Sequence, residues 1–169
     1  MQVFLKEKVN YAGIDWESSV NGEGLRVVLY FQGCGHHCEH CHNKQTWNPN
    51  LGDLLTYKEL QQITKTINED ELLQGITLSG GDPFLNSKAL LEVTTFLREN
   101  LLPEKTIWCY TGYTIDQLKG SKEQQIIKQL DVLVDGKFEK HLNDETCRFK
   151  GSANQKIYYF KNGVVSKIG

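Results

Sequence analysis

The chain reads as an α/β protein built on parallel strands, a sheet either open or curled into part of a barrel. Two observations predict this. Short β-branched or aromatic runs alternate with amphipathic stretches in the order βαβαβαβ, and helices of this length between strands imply parallel pairing through right-handed crossovers. The helical stretches also begin with side chains suited to capping, so the alternation is punctuated as well as periodic.

The first strand is "RVVLYFQ" (26–32), apolar and β-rich, running directly into a cysteine-bearing loop. Next comes "TYKELQQITKTINE", where Thr56 and Glu59 form a capping box and Leu60, Ile63 and Ile67 share one helical face. "GITLSGGDP" supplies a strand and a turn, and "SKALLEVTTFLRENL" a second helix for which Ser87 is the expected cap. "KTIWCYTGY" is a strand ending at Gly112, "SKEQQIIKQL" repeats the Ser-x-x-Gln signal, and "DVLVDG" is a strand again. The tail "QKIYYFKNGVVSKIG" predicts a hairpin about Asn162 and Gly163. No repeat, low-complexity stretch or linker divides the chain, so a single domain over 1–169 is expected.

Charge and hydropathy narrow the function classes. Nineteen basic residues against twenty-one acidic ones, with no Lys/Arg block, argue against nucleic acid as a partner. No stretch approaches the ~20 apolar residues of a membrane span, and "MQVFLKEKVN" lacks the apolar run of a signal peptide. A location in the cytoplasm is expected, where crowded cysteines point to metal or redox chemistry rather than to disulfides.

In parallel α/β folds, ligands sit where the βα loops gather at the carboxyl ends of the strands. Three segments share that position here: the cysteine loop, "SGGDP" (79–83) and "TGY" (111–113). The loop "CGHHCEHCHN" spaces Cys34, Cys38 and Cys41 as Cys-x3-Cys-x2-Cys. A structural zinc site needs four ligands, and the second cysteine pair of a zinc finger is missing. One of His36, His37, His40 or His42 would have to complete the set, in a ring too tight to organise distant parts of the fold. A cubane iron-sulfur cluster, normally held by four thiolates, would with three keep one iron open for a ligand. Cys109, on an apolar strand, reads as a packed thiol, and Cys147, among charged residues, as a free thiol with nothing to fix its distance from the loop. His36, His37 and His141 read as solvated. Trp108, Tyr110 and Tyr113 read as core or pocket wall, and Asp135 and Lys137 as a strand-end contact or a surface turn.

The cysteine spacing, followed one βα unit later by Gly80, Gly81, Asp82 and Pro83, resembles the radical S-adenosylmethionine superfamily. The resemblance narrows to the activating proteins of anaerobic (class III) ribonucleoside-triphosphate reductases, through "NGEGLR", "CxxxCxxCHNKQTW", "GITLSGGDP", "WCYTGY", "LDVLVDGKFE" and "FKGSANQ". Two departures stand out: His40 takes the place of an aromatic residue commonly found before the third cysteine, and Glu23 the place of proline in an "NGPG" turn.

The resemblance implies a partial βα barrel of parallel strands, of the radical S-adenosylmethionine type. It implies a 4Fe-4S cluster on Cys34, Cys38 and Cys41, with S-adenosyl-L-methionine chelating the fourth iron. Gly80 and Gly81 would let the backbone approach the methionyl group, residues 40–42 (His40, Cys41, His42) would flank the adenine, and Asp82 would either receive the amino group or cap its own turn. The implied reaction transfers one electron to the sulfonium, and the 5'-deoxyadenosyl radical so formed takes a hydrogen atom from a glycine of the reductase large subunit. Flavodoxin is the usual donor. Because a full (βα)8 barrel needs roughly 200 residues or more, this chain should leave one side of the site for a macromolecular partner to close. The alternatives are an activase of another glycyl radical enzyme such as pyruvate formate-lyase, a small-molecule enzyme such as 7-carboxy-7-deazaguanine synthase, and, outside catalysis, a zinc-stabilised binding module.

Overall fold

The computed structural model describes residues 4–169. Its strands are β1 (Asn10–Ser18), β2 (Leu25–Phe31), β3 (Asp53–Leu54), β4 (Leu73–Gly80), β5 (Thr106–Tyr110), β6 (Val132–Asp135), β7 (Lys156–Lys161) and β8 (Val164–Ile168). Its α-helices are α1 (Tyr57–Glu69), α2 (Ser87–Asn100) and α3 (Ser121–Ile127). All eight strands form one sheet in the order β3-β1-β2-β4-β5-β6-β7-β8. The four central strands pair in parallel, and they are the four expected from the βαβαβαβ alternation.

The sheet is mixed rather than wholly parallel. β1 runs antiparallel to β2 and β3, and β7 antiparallel to β6 and β8, so among the described residues β3 and β8 are the outermost strands and no barrel closes. β1 escaped the sequence reading because two register shifts break its alternation and none of its apolar side chains is fully buried. The Asn162–Gly163 hairpin forms as expected, both residues having positive φ, as its tight turn requires.

Helix starts agree in part. The Thr56–Glu59 capping box is present, and Leu60, Ile63 and Ile67 are buried beneath it. At α2 the cap is Asn86 rather than Ser87: the Asn86 side chain accepts from the Ala89 N–H at 3.1 Å. At α3 the expected capping box does not form. Gly120 is the cap, and Gln124 turns outward from the helix start to donate to the Leu118 carbonyl at 2.5 Å.

The helices pack on one face of the sheet. Val27, Leu29, Phe31, Ile76, Leu78, Ile107, Cys109 and Leu133 form a single core there with the apolar stripes of α1, α2 and α3. Cys109 is completely buried and its thiol is pushed well above the ordinary range by that burial, as a packed, unreactive cysteine should be. The opposite face carries a smaller cluster of Trp108, Val132, Val134 and Ile157.

Arg26 is the most deeply buried charged residue among the described residues. Arg26, 1% exposed, spans three strands: it donates to Thr77 Oγ1, the Ile76 carbonyl, and both Thr106 Oγ1 and the Thr106 carbonyl, at 2.8–2.9 Å. Its guanidinium lies 5.5 Å from the Trp108 ring centroid. Burial lowers its pKa to about 10, which still leaves it charged at neutral pH. Removing it orphans several buried acceptors. Arg26→Met is therefore expected to lower stability by about 2–4 kcal/mol in chemical unfolding; an unchanged midpoint would show that these bonds contribute nothing net.

Candidate functional site

Register brings the site together. Phe31 pairs with Gly80 at the ends of β2 and β4, and Tyr110 with Val134 at the ends of β5 and β6. The loops that follow therefore leave the sheet side by side. The cysteine loop closes on itself at its base, where the Gly33 and Cys34 N–H groups donate to the Thr46 and Trp47 carbonyls at 2.6 and 3.1 Å. The Gln32 side-chain amide adds bonds to the Gln45 and Asn48 carbonyls, both 2.8 Å.

Within that ring the chain must reverse between ligands. His37 and His40, each immediately before a cysteine, have φ of 49° and 59°. Left-handed conformations at non-glycine residues are costly and mark a backbone held in place by its surroundings. Cys34, Cys38 and Cys41 are each partly buried. Burial pushes the Cys34 and Cys38 thiols up; the Asp82 charge adds to this at Cys34, while Lys137 opposes it at Cys38. The Asn43 N–H points at Cys41 Sγ from 3.4 Å, an interaction suited to a thiolate.

The "SGGDP" turn packs on this loop. The Gly81 N–H donates to the Phe31 carbonyl and the Asp82 N–H to the Gly33 carbonyl, both at 2.8 Å. A Cβ at Gly81 would run into the Gly33 carbonyl, and one at Gly80 into the backbone of Phe31. The two glycines are thus required by close backbone approach between turn and cysteine loop, with their other side left facing a cleft.

Asp82 is the junction. It is 2% exposed, and its carboxylate accepts from the Phe84 N–H (3.0 Å), the Gly112 N–H (2.8 Å) and the Thr111 hydroxyl (2.9 and 3.0 Å to its two oxygens). His36 Nε2 lies 2.5 Å from Oδ2. The carboxylate caps its own turn and has its acceptor sites taken up by protein donors; it does not line the cleft. Of the two roles open to it in the sequence, the cap is present, through the bond from the Phe84 N–H. His36, expected to be solvated, is only 8% exposed at its side chain and stands edge-on to Tyr113 at 4.5 Å. His37 stacks on Trp47 at 4.4 Å.

The cleft has a volume of about 580 Å³, within the usual range for a small-molecule site. Cys34, Cys38, Cys41, Gly80 and Gly81 all line it. His42 lines it too, edge-on to Phe138 at 5.6 Å, whereas the exposed His40 does not; His40 Nε2 lies 3.1 Å from Lys140 Nζ. Tyr110 and Lys137 reach the wall, Asp135 instead accepts from the Ile115 N–H at 2.7 Å, and His141 is exposed as expected. The sequence reading missed Arg148 and Lys150, and left Cys147 unplaced; all three are in the lining. Among the described residues, no Asp or Glu lines this cleft, so its charged walls are all cationic.

These residues fit an iron-sulfur cluster. Three partly buried thiols from one constrained loop face a cleft with cationic walls, and a cubane gives each thiolate its own iron. Among the described residues, no three His, Cys, Asp or Glu side chains are grouped to hold a single metal ion. Residues 20–158 match the family described as "4Fe-4S single cluster domain". The chain is also 36% identical over 158 residues to the anaerobic ribonucleoside-triphosphate reductase-activating protein of Enterobacteria phage T4, covering 92% of this chain and 97% of that one. The proteins of the same name from Pasteurella multocida and Escherichia coli K12 are 38% and 39% identical, over 90% and 84% of this chain and 98% and 93% of theirs.

The chain belongs to the family of anaerobic ribonucleoside-triphosphate reductase-activating proteins. For this family member, a 4Fe-4S domain replaces the zinc-stabilised module as the account of the three cysteines. No helix among the described residues is long and apolar enough to cross a membrane.

The packing of the turn on the loop has a measurable consequence. Gly81→Val should displace the cysteine loop and lower iron content after anaerobic reconstitution by half or more, because overpacking a tight contact costs about 1–3 kcal/mol. Gly35→Ala, whose Cβ meets nothing closer than Leu85 at 3.8 Å, should retain full iron. Normal iron in Gly81→Val would show that the contact is not what shapes the loop.

Proposed function

We propose that this protein activates an anaerobic ribonucleoside-triphosphate reductase by placing a glycyl radical on the large subunit, using a 4Fe-4S cluster and S-adenosyl-L-methionine. The observation that carries the reading is the convergence on one cleft of three spaced thiols and the glycine turn, in a member of this family. When bound, these groups supply one-electron cleavage of the sulfonium and a 5'-deoxyadenosyl radical able to take a hydrogen atom from a glycine Cα.

The protein's own contribution is to bind, orient and shield. Cys34, Cys38 and Cys41 would hold the cluster as thiolates, leaving one iron open. Gly80 and Gly81 offer the cleft a backbone surface without side chains, suited to the methionyl end of the cofactor. Cys41 and His42, on the adjoining wall, would flank the adenine; His40, with its side chain at the exterior, would act there only through backbone. Asp82 serves as a positioning residue, since its oxygens already have partners. Lys137, Arg148 and Lys150 would offset the negative charge that three thiolates bring into a partly enclosed space.

A sheet that does not close among the described residues, with the helices on one face and the cleft at the strand ends, supports reading the fold as an incomplete βα barrel of the radical S-adenosylmethionine type. The reductase large subunit would close the open side and exclude water from the radical, and a flavodoxin-class protein would deliver the electron. The family named above favours this reading over an activase of pyruvate formate-lyase and over 7-carboxy-7-deazaguanine synthase.

The decisive experiment is anaerobic reconstitution with a reducing system, measuring 5'-deoxyadenosine with and without the reductase and the glycyl radical on the reductase by electron paramagnetic resonance. Wild-type protein should give the radical only with the cofactor present. Replacing any one of Cys34, Cys38 or Cys41 with Ala should abolish cluster and radical, while Cys109→Ala and Cys147→Ala should keep the cluster. Full activity in Cys38→Ala, or turnover on a small molecule with no radical on the reductase, would overturn the reading.

A further inference from the structure

Three of the four groups that meet the Asp82 carboxylate, Phe84, Thr111 and Gly112, belong to its own turn or to the loop just after β5. His36 alone comes from the cysteine loop, and it sits midway between Cys34 and Cys38. The ring has a seat built for it. Tyr113 stands edge-on at 4.5 Å, and a Cβ at Gly112 would lie 2.5 Å from His36 Cδ2, so the absence of a side chain at 112 makes room for the imidazole. The ring is nearly buried and the carboxylate is 1% exposed at its side chain, so water competes poorly for the bond between them.

We propose that His36 is a positioning residue that, through Asp82, locks the cysteine loop to the Gly80–Gly81 turn and so fixes where the cluster stands relative to the cofactor's methionyl end. The proposal rests on the functional reading given above. Backbone bonds from the Gly81 and Asp82 N–H groups already tie the turn to the base of the loop at Phe31 and Gly33. They stop short of the ligand-bearing segment. His36 carries the tie two residues beyond Cys34 and two short of Cys38, where a rotation of the loop would otherwise move both sulfurs relative to the turn. A bond of this kind orients ligands without touching them, and groups that orient metal ligands typically matter by 10–100-fold in affinity or activity.

The test compares three variants of the reconstituted protein. His36→Phe keeps a ring against Tyr113 and loses the N–H donor. His36→Gln replaces the ring but places an amide N–H where Nε2 stood. Tyr113→Leu removes the ring contact and leaves the donor. Iron content, equilibrium binding of S-adenosyl-L-methionine, and the change this cofactor causes in the spectrum of the reduced cluster are measured for each, with amide hydrogen exchange at Gly112 in the metal-free protein.

His36→Phe should bind near-normal iron, weaken cofactor binding about tenfold or more, diminish the cofactor-induced spectral change and speed exchange at Gly112. His36→Gln should recover most of each. If His36→Phe behaves as wild type, or if Tyr113→Leu reproduces its loss and His36→Gln gives no rescue, ring packing rather than the bond to Asp82 is at work and the proposal falls. If His36→Phe binds no iron, the assignment survives only if His36→Gln restores both iron and the spectral change. A wild-type cluster that shows no response to the cofactor rejects the functional reading itself, a result distinct from an unaltered response in His36→Phe.

Discussion

A buried carboxylate holds the site together. Asp82 lies where the ends of β2, β4 and β5 come level, and it accepts from donors on both of the loops that flank its turn. Inside a protein, a charged acceptor is expensive to leave without partners, and each donor aimed at it is correspondingly hard to move away. The Asp82 carboxylate adds side-chain ties among the three loops to the backbone bonds that join the turn to the base of the cysteine loop. The cysteine positions, the exposed backbone of Gly80 and Gly81, and the seat of the His36 ring all inherit their geometry from that junction.

The cleft's electrostatics follow from the same economy of groups. The Asp82 carboxylate is turned inward and consumed by hydrogen bonds, and the charges on the cleft wall are Lys137, Arg148 and Lys150. Burial makes the thiols of this loop costly to ionise and so raises Cys34 and Cys38, and repulsion from a neighbouring cysteine adds a smaller push in the same direction. A metal cluster together with cationic walls reverses that tendency, so an assembled cluster and the folded loop stabilise each other. Lys150 is held by the Gln155 carbonyl at 3.1 Å, and the Gln155 amide donates to the Gly136 carbonyl at 2.8 Å, which connects the "FKGSANQ" and "VDGKF" segments on one side of the cleft.

Much of this was legible in the sequence because the signals were local. The four parallel strands follow from apolar runs, α1 from a capping box and a stripe, the tail hairpin from Asn-Gly, and the cysteine loop from its spacing. What escaped depended on distant partners. His36 looks like any loop histidine until the chain folds to bring Asp82, forty-six residues away, against it. Ser87 looked like a cap because nothing in the local pattern shows that a short 3-10 turn over Pro83–Asn86 places Asn86 at the helix start. β1 is hidden by its bulges, and Cys147, with no periodic neighbours, is brought to the cleft only by the path of the chain after β6.

The most direct measurement of the central claim is the Asp82→Asn variant, which keeps the shape of the side chain but exchanges one acceptor oxygen for an amide nitrogen amid the same donors. Iron per chain after anaerobic reconstitution and the melting temperature of the same preparation should both fall clearly, the iron to less than half of the wild-type value. Wild-type iron content and an unshifted melting temperature would contradict the account, showing that the cysteine loop and the glycine turn hold their places without this carboxylate.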